Sequence, residues 1–107
     1  AVQYLEQHEY TIRHRNWRKG HLELDIVAAQ NGELIIVEVK TRTATDFALP
    51  QDAVTPQKIR RTVIAADTYI KLFQIDASVR FDIITVVGKV GNFRIEHIKE
   101  AFYPPLF

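Results

Sequence analysis

The chain has 107 residues, of which 47% are hydrophobic and 25% charged, and its formal net charge is +1 at pH 7. This size and composition are ordinary for one folded soluble domain, residues 1–107, with a single hydrophobic core. The absence of cysteine excludes disulfides, thiolate metal sites and cysteine nucleophiles, and no apolar run approaches the ~20 residues that cross a membrane.

Positive charge is concentrated in two stretches, although the whole chain is nearly neutral. The basic residues are Arg13, Arg15, Arg18 and Lys19 in the first stretch and Lys58, Arg60 and Arg61 in the second. Local patches of this kind favour a surface that binds a polyanion. For the first stretch a solvated edge strand is the alternative, because charges on an edge strand oppose aggregation.

A short helix and an edge strand are predicted at the start of the chain. Residues 2–8 place Val2 and Leu5 on one side of a helix, which we expect to be truncated at Ala1. Residues 10–17 then alternate between two faces and are polar enough for a strand at the edge of a sheet. A basic turn follows this strand.

A β-hairpin around Asn31-Gly32 is predicted over residues 22–42. Both turn residues tolerate the positive φ of a type I′ turn, which is a strong short-range hairpin signal. With these two residues as the loop, Gln30 faces Glu33, and this pair sets the register of the whole hairpin.

The predicted register brings four charged residues together on one face of the hairpin. Asp25 falls opposite Glu38 and Glu23 opposite Lys40, and side chains two residues apart on a strand share a face. Residues 34–39 are otherwise apolar, which is typical of a central strand. Directly opposed carboxylates repel each other, whereas a divalent metal ion between them would reverse the sign of the interaction.

A loop and a long helix are predicted next. Residues 43–54 have no clear period and are interpreted as a loop. Thr55 and Pro56 predict the start of a helix, as N-cap and first helical residue. The apolar residues that follow recur at spacings of three and four, which predicts an amphipathic helix of about five turns. They are Ile59, Val63, Ala66, Ile70 and Phe73.

Two paired strands are predicted at residues 78–87 and 93–98, followed by a packed tail over residues 101–107. The resulting order of helix, three strands, helix and two strands predicts the α/β class, with a central mixed sheet flanked by helices. The second helix then makes the crossover between the third and fourth strands. Arg80 and Asp82 share a face of the fourth strand and are interpreted as a structural ion pair.

The charged face of the hairpin has the residue types that phosphodiester hydrolysis requires. Mg²⁺, or Mn²⁺ in its place, prefers oxygen ligands, and one or two carboxylates with waters and substrate phosphate are usual. Asp25 and Glu38 meet this requirement, and the carbonyl of Val39 would add a further oxygen. Lys40 would orient or deprotonate water, or stabilise charge on the phosphate. Glu23 is either a further ligand or the salt-bridge partner of Lys40.

The spacing Asp25, then Glu38-Val39-Lys40, resembles the PD-(D/E)xK nuclease superfamily and implies a restriction-endonuclease-like αβββαβ core. Further stretches in order resemble the YraN family of small bacterial proteins, which is similar to archaeal Holliday-junction resolvases. They are NWR (16–18), ELDIVA (23–28), VEVKTR (37–42), TPQK (55–58) and RFDI (80–83). Leu22 stands where that family usually has glycine. The resolvase-like relatives carry a glutamate on the first helix, whose equivalent is expected either to lie upstream of Ala1 or to be absent, so Glu6 is not assigned its role.

The resemblance implies a Mg²⁺-dependent DNA endonuclease with branched or flapped DNA as substrate. A cytoplasmic location is expected from the absence of cysteine. Asp25, Glu38, Lys40 and Glu23 are the expected catalytic residues, and Asp25, Glu38 and Val39 the expected metal ligands. The expected nucleic-acid contacts are Arg15, Arg18, Lys19, Arg42, Lys58 and Arg61. A homodimer is implied as well, because a junction resolvase must cut two strands symmetrically.

Several alternatives are open at the level of sequence. A half-exposed strand face with a Glu38–Lys40 ion pair explains the same charges without a metal site. A nucleic-acid- or protein-binding module that has kept the nuclease fold is the second functional hypothesis, and an RNA-directed role is a third. Trp17 is interpreted as a core residue or a lid on the first helix, with base stacking as the alternative. His8, His14 and His97 are interpreted as surface residues, and His21 as a neighbour of the site.

Overall fold

The structure is a computed structural model that describes residues 1–42, 55–89 and 92–102. Its elements are α1 (Val2–Gln7), β1 (Thr11–Lys19), β2 (Leu22–Gln30), β3 (Glu33–Arg42), α2 (Pro56–Phe73), β4 (Ser78–Lys89) and β5 (Asn92–Phe102). This confirms the predicted order of elements, including the αβββαβ core. The predicted loop over residues 43–54 and the tail beyond Phe102 lie outside the described residues.

The five strands form one mixed sheet in the order β1-β2-β3-β4-β5. Neighbouring strands are antiparallel except for β3 and β4, which are parallel. A parallel pair needs a crossover connection, and α2 supplies it. The α/β class and the flanking of the sheet by helices are therefore as predicted, and β1 lies at an edge.

The hairpin of β2 and β3 turns at Asn31 and Gly32, whose φ angles are 51° and 77°. Positive φ at both residues is what a type I′ turn requires. The strands pair from Gln30 with Glu33 to Ile26 with Val37. Over this stretch the predicted register is confirmed.

The sheet separates two hydrophobic cores, which corrects the expectation of a single core, because neighbouring side chains on a strand point to opposite faces. On the α2 side, Leu34 and Ile36 pack with Tyr69 and Phe81. On the α1 side, Ile35 and Val37 pack with Leu5 and other residues. Both faces of β3 are thus buried along its first half, as predicted for a central strand.

Helix α2 begins as its sequence predicts. The Thr55 side chain accepts a hydrogen bond of 3.2 Å from the backbone N–H of Lys58, and Pro56 occupies the first turn. The buried face is centred on Thr62, Ala65, Ala66 and Tyr69. Phe73 is 39% exposed, but its ring still packs against that of Tyr69, with centroids 4.6 Å apart. Neither of the two described helices is long and apolar enough to cross a bilayer.

Candidate active site

A cavity of about 480 Å³ lies between the N-terminal turn of α2 and strands β2 and β3. It brings together all four residues that the sequence proposes for catalysis and two of the six that it proposes for DNA. The residues from these sets that line it are Glu23, Asp25, Glu38, Val39, Lys40, Lys58 and Arg61, together with His21 and Gln57. Residues far apart in the sequence therefore share one concave surface, which is the usual form of a ligand site.

The chain topology explains why α2 meets β3 at this cavity. Strands β3 and β4 are parallel, so the connection must return across the sheet, and its helix begins beyond the carboxyl end of β3. Ligand sites of α/β sheets lie at the carboxyl ends of parallel strands for the same reason. The first turn of α2, with its partial positive charge, consequently faces Glu38 and Lys40.

Asp25 does not pair with Glu38 in the way that the hairpin register predicts. The ladder between β2 and β3 ends at Ile26 and Val37, and the pairs Asp25–Glu38 and Glu23–Lys40 are absent from it. The backbone N–H of Val39 instead donates a hydrogen bond of 2.9 Å to Asp25 Oδ2. A side-chain carboxylate thus replaces a backbone carbonyl as acceptor, which corrects the extrapolated register.

The alternation of β2 shifts at Asp25. Leu24 packs in the α2-side core and Ile26 in the α1-side core, although residues two apart on a regular strand share a face. Opposite this point, Asn16 on β1 has a φ of 51°, the left-handed conformation that asparagine tolerates better than most residues. The four charged side chains nevertheless line one cavity, as predicted, although regular alternation along β2 is not what brings them there.

Asp25 also lines a second cavity, of about 660 Å³, on the α1 side of the sheet. Its other polar lining residues include Glu6, Arg15 and Asn16. Asp25 thus borders both faces of the sheet where β2 and β3 separate. The predicted DNA contact Arg15 belongs to this second cavity rather than to the first.

Glu38 is the centre of the electrostatics of the first cavity. It is only 9% exposed. Its Oε1 lies 2.6 Å from Lys58 Nζ and 3.4 Å from Lys40 Nζ. The Glu38–Lys40 ion pair is the contact expected if the strand face had a purely structural role. Lys58, assigned from sequence to DNA phosphate, makes the shorter contact.

Lys40 and Lys58 both contact the carboxylate of Glu38, and their pKa values shift in opposite directions. The hydrogen bond with Lys58 is the main cause that lowers the pKa of Lys40, and burial lowers it further against the opposing charge of Glu38. Burial acts to lower the pKa of Lys58 too, but its hydrogen bonds to Glu38 and Lys40 and the nearby carboxylate charges raise it overall. Lys58 is consequently the more firmly protonated of the two lysines.

Glu23 has a different partner from the one considered in the sequence. Its carboxylate lies 3.2 Å from Arg18 Nε, and its side chain is 60% exposed. An ion pair so exposed contributes little to stability. Of the two sequence alternatives for Glu23, pairing with Lys40 is therefore replaced by pairing with Arg18, one residue of the predicted DNA-binding set.

The remaining predicted DNA contacts are dispersed over the surface. Arg42 Nη2 lies 2.8 Å from Glu96 Oε1, which ties the end of β3 to β5 across β4. Lys19 and Arg61 are exposed, but only Arg61 lines the first cavity. Arg13 donates a hydrogen bond of 3.1 Å to the hydroxyl of Tyr69. The structure therefore places Lys58 and Arg61 at the cavity and leaves Lys19 and Arg42 outside its lining.

The donor set of the first cavity fits a hard divalent cation with few protein ligands. Asp25 and Glu38 supply carboxylate oxygens to one space, and Mg²⁺ commonly binds through one or two carboxylates while it keeps several waters. Within residues 1–42, 55–89 and 92–102, no three acidic or histidine side chains form a group that could hold a metal ion. The fit is thus to a hydrated ion, and Lys58 occupies the Glu38 oxygen that such an ion would need.

Trp17 belongs to the core, but against α2 rather than α1. Its ring meets that of Tyr69 edge to face, with centroids 5.2 Å apart. His14 is half buried, and its Nδ1 lies 2.6 Å from the Tyr69 hydroxyl. These contacts explain the aromatic character of β1 without a nucleic-acid ligand.

A separate polar cluster lies on the α1 side of the sheet, around the fully buried Asp82. Arg80 donates two hydrogen bonds of 2.9 Å to its carboxylate, which confirms the predicted ion pair. His97 Nε2 donates a third, of 2.7 Å, and the backbone N–H of Glu100 a fourth, of 3.1 Å. Burial acts to raise the pKa of Asp82, but these hydrogen bonds and the Arg80 charge lower it overall.

The side chain of His97 is buried, with 5% of it exposed, so its interpretation as a surface residue is wrong. Its Nδ1 lies 3.1 Å from the Tyr4 hydroxyl, which links α1 to β5, and its Nε2 continues the link to Asp82 on β4. Burial is the main cause that raises the pKa of Tyr4. One feature of the sequence indicated this contact. His97 lies on the predicted strand that pairs with the strand of Asp82, whose carboxylate is a hydrogen-bond acceptor.

Comparison with known proteins places the chain in a family. Residues 1–86 match the model of the family described as "Uncharacterised protein family UPF0102". A UPF0102 protein of Bacteroides fragilis is 89% identical over 107 residues, which are 100% of this chain and 88% of the relative. One of Bacteroides thetaiotaomicron is 74% identical with the same coverage. One of Flavobacterium psychrophilum is 43% identical over 96% of this chain and 87% of its own length. The chain therefore belongs to the uncharacterised protein family UPF0102.

Proposed function

We propose that this protein is a Mg²⁺-dependent endonuclease that hydrolyses phosphodiester bonds in DNA, with branched or flapped DNA as the substrate class. The proposal combines the geometry of the first cavity with the resemblance of its motifs to the PD-(D/E)xK superfamily, the YraN family and archaeal Holliday-junction resolvases. A cytoplasmic location is part of it, since the substrate is DNA.

One observation carries the proposal. Asp25, Glu38 and Lys40 line a single cavity at the point where β2 and β3 separate and α2 begins. A phosphate group that enters this space meets carboxylates, ammonium groups and the N-terminus of a helix, and helix N-termini favour anions. A purely structural strand face needs no such opening.

Each residue has a role that follows from its position. Asp25 and Glu38 would hold the cation, and the carbonyl of Val39 is retained as the proposed third ligand. A bound divalent ion supplies charge stabilisation at the phosphate and acidifies water. Lys40, next to Glu38, accepts a proton from the attacking water or stabilises the charge that develops on the phosphate oxygens. Glu23 is retained as an outer residue that positions Arg18 towards substrate.

The DNA backbone would lie over the cavity and along the β1–β2 side of the sheet. Lys58 and Arg61 at the start of α2 contact phosphates next to the scissile bond, while Arg15, Arg18 and Lys19 extend the contact along β1. Arg42 joins them only if it leaves Glu96. Such contacts position the nucleic acid without reading its sequence, which suits a structure-selective nuclease.

The test is cleavage of a panel of DNA substrates by the full-length protein with Mg²⁺ or Mn²⁺. The panel contains duplex, single-stranded, flapped and four-way-junction DNA. We expect metal-dependent cleavage that Glu38→Gln and Glu38→Ala abolish, because a divalent ion loses a charged ligand. The exposed Glu9→Gln is the matched control and should cleave as the wild type does. Equal cleavage by wild type and Glu38→Gln would refute the assignment of Glu38.

A junction resolvase has a further requirement, which concerns the oligomeric state. Symmetric cleavage of two strands requires a twofold dimer. A mass measurement in solution should therefore show a dimer, at least with junction DNA present. A protein that is monomeric both free and on a junction contradicts the resolvase version of the proposal but not a nuclease that cuts one strand.

A catalytically silent nucleic-acid-binding module is the second candidate, and the contacts of Glu38 favour it. Two lysines already neutralise this carboxylate, and Asp25 is engaged by the Val39 backbone. This candidate predicts DNA binding that weakens steeply with salt, no cleavage with either metal, and no heat of metal binding in calorimetry. Metal binding that Glu38→Gln removes would count against it.

A further inference from the structure

The ammonium group of Lys58 contacts the carboxylate of Glu38 at the place where a metal ion is proposed to bind. Lys58 Nζ lies 2.6 Å from Glu38 Oε1, and Lys40 Nζ lies 3.4 Å from the same oxygen. Glu38 itself is almost fully buried, whereas 38% of the Lys58 side chain is exposed. The carboxylate is thus fixed in the sheet, and the lysine reaches it from the surface.

The position of Lys58 in α2 is unfavourable by local rules. Thr55 is the N-cap and Lys58 the third helical residue, where the helix N-terminus carries partial positive charge. An acidic residue at this position would be favoured by the helix dipole and by the capping box. Glu38 is the anion that offsets this charge. The contact therefore stabilises both the first turn of α2 and the buried carboxylate on β3.

A divalent cation and the Lys58 ammonium cannot share Glu38 Oε1 without repulsion. The lysine has a flexible four-carbon stem and a compact charge that can move, whereas Glu38 is held by β3. When the cation takes the carboxylate, the ammonium loses the anion that it contacts here. The nearest anion that a substrate would bring into the cavity is a phosphate.

We propose that Lys58 is a substitute cation, which holds Glu38 in the metal-free protein and moves to a substrate phosphate when a divalent ion binds Glu38. This inference rests on the proposed function, because it requires a metal site at Glu38. It makes metal binding and DNA binding mutually dependent, since each favours the state in which Lys58 has left Glu38. Such coupling is reciprocal between the two ligands.

The first test is calorimetric titration of Mn²⁺ into wild type and Lys58→Met. Removal of the competing ammonium should tighten Mn²⁺ binding by roughly 5- to 100-fold, the range of ordinary coupling energies. Arg60→Met is the matched control, because Arg60 is exposed on the same helical turn. It removes the same charge near the cavity and should change Mn²⁺ affinity by less than about twofold. Circular dichroism verifies that each variant is folded, and Lys58→Gln serves as a second variant.

The second test measures the coupling directly. Anisotropy of a labelled flapped duplex is titrated with and without Ca²⁺ at constant ionic strength. Wild type and Arg60→Met should gain DNA affinity when Ca²⁺ is added, and Lys58→Met should gain less, because it has no ammonium group at position 58 to move from Glu38 to a phosphate.

The outcomes separate this inference from the proposed function. Equal or weaker Mn²⁺ binding by Lys58→Met, with wild-type binding intact, overturns the inference and leaves the nuclease proposal standing. Failure of both wild type and Lys58→Met to bind Mn²⁺ overturns both. Binding by Lys58→Met that is tighter than in wild type and is abolished by an added Glu38→Gln supports both.

Discussion

The carboxylate of Asp25 accepts a hydrogen bond of 2.9 Å from the backbone N–H of Val39, at the point where β2 and β3 cease to pair. In a regular hairpin a β2 carbonyl would accept from this N–H. The substitution lets the two strands separate while the Val39 amide remains hydrogen-bonded. Asp25 therefore shapes the site in addition to any role as a ligand.

Asp25→Ala should destabilise the fold by about 1–2 kcal/mol, because the Val39 N–H loses its acceptor in a partly buried place. Asp25→Asn keeps an oxygen of the same shape and should cost less than half as much. Chemical denaturation measures both. If the two variants lose equal stability, the hydrogen bond to Val39 is not what the carboxylate contributes.

Asp82→Asn should be among the more destabilising isosteric changes in the protein, at about 3 kcal/mol, because it leaves Arg80 buried without its full counter-charge. The Arg80 side chain is only 11% exposed. Urea denaturation at neutral pH gives the value. Asp67→Asn is the control, since Asp67 pairs with Lys71 on the exposed face of α2 and should cost little.

The same carboxylate predicts how stability responds to acid. Folding lowers the pKa of Asp82 below its ordinary value of 3.8, so the folded protein binds the proton more weakly than the unfolded chain. Its stabilising contribution is complete above pH 3.8 and is lost as the pH falls through the lower folded value. The free energy of unfolding of wild type should therefore fall more steeply below pH 4 than that of Asp82→Asn. Parallel curves would contradict the lowered pKa.

Tyr69→Phe should cost about 1–2 kcal/mol, because the hydroxyl is hydrogen-bonded to Arg13 and His14 within a buried side chain. Trp17, the single tryptophan of the chain, packs on the Tyr69 ring, so its fluorescence follows unfolding at the relevant place. An unchanged urea midpoint would show that these two contacts to β1 contribute nothing to stability.

Tyr4→Phe should loosen α1 locally. The variant keeps the ring that packs on His97 and loses only the hydrogen bond to its Nδ1. We expect faster amide exchange in Val2–Gln7 and a loss of global stability of no more than about 1 kcal/mol. Exchange rates in α1 that match the wild type would contradict a role for this contact in docking the helix.

Arg61→Ala should weaken DNA binding more than Arg60→Ala does. Both residues are exposed on α2, but only Arg61 lines the first cavity. If Arg61 contacts a phosphate, its loss should lower the slope of log affinity against log salt by about 1. Fluorescence anisotropy at several salt concentrations provides the slope. Equal effects of the two changes would place the DNA elsewhere.

The sequence by itself determined the elements and much of the sheet. The Asn31-Gly32 turn and the Thr55-Pro56 helix start are local signals, since each depends on the conformational preference of a few adjacent residues. Period-two and helical spacing of apolar residues predicted strands and the long helix, and the Arg80–Asp82 pair followed from residues on one strand. These features needed no knowledge of distant contacts.

Only the tertiary structure decided the contacts of the site. Extrapolating the hairpin register put Asp25 opposite Glu38, but a local shift in alternation at Asp25 and its bond to Val39 ended the ladder first. Lys58 is twenty residues from Glu38 in the sequence, and the crossover between parallel strands, which no local pattern encodes, brings them to 2.6 Å. His97 is buried for the same reason, because its environment is made by α1 and β4. Local preferences fix conformation, whereas the partner of a charge depends on which elements the whole chain brings together.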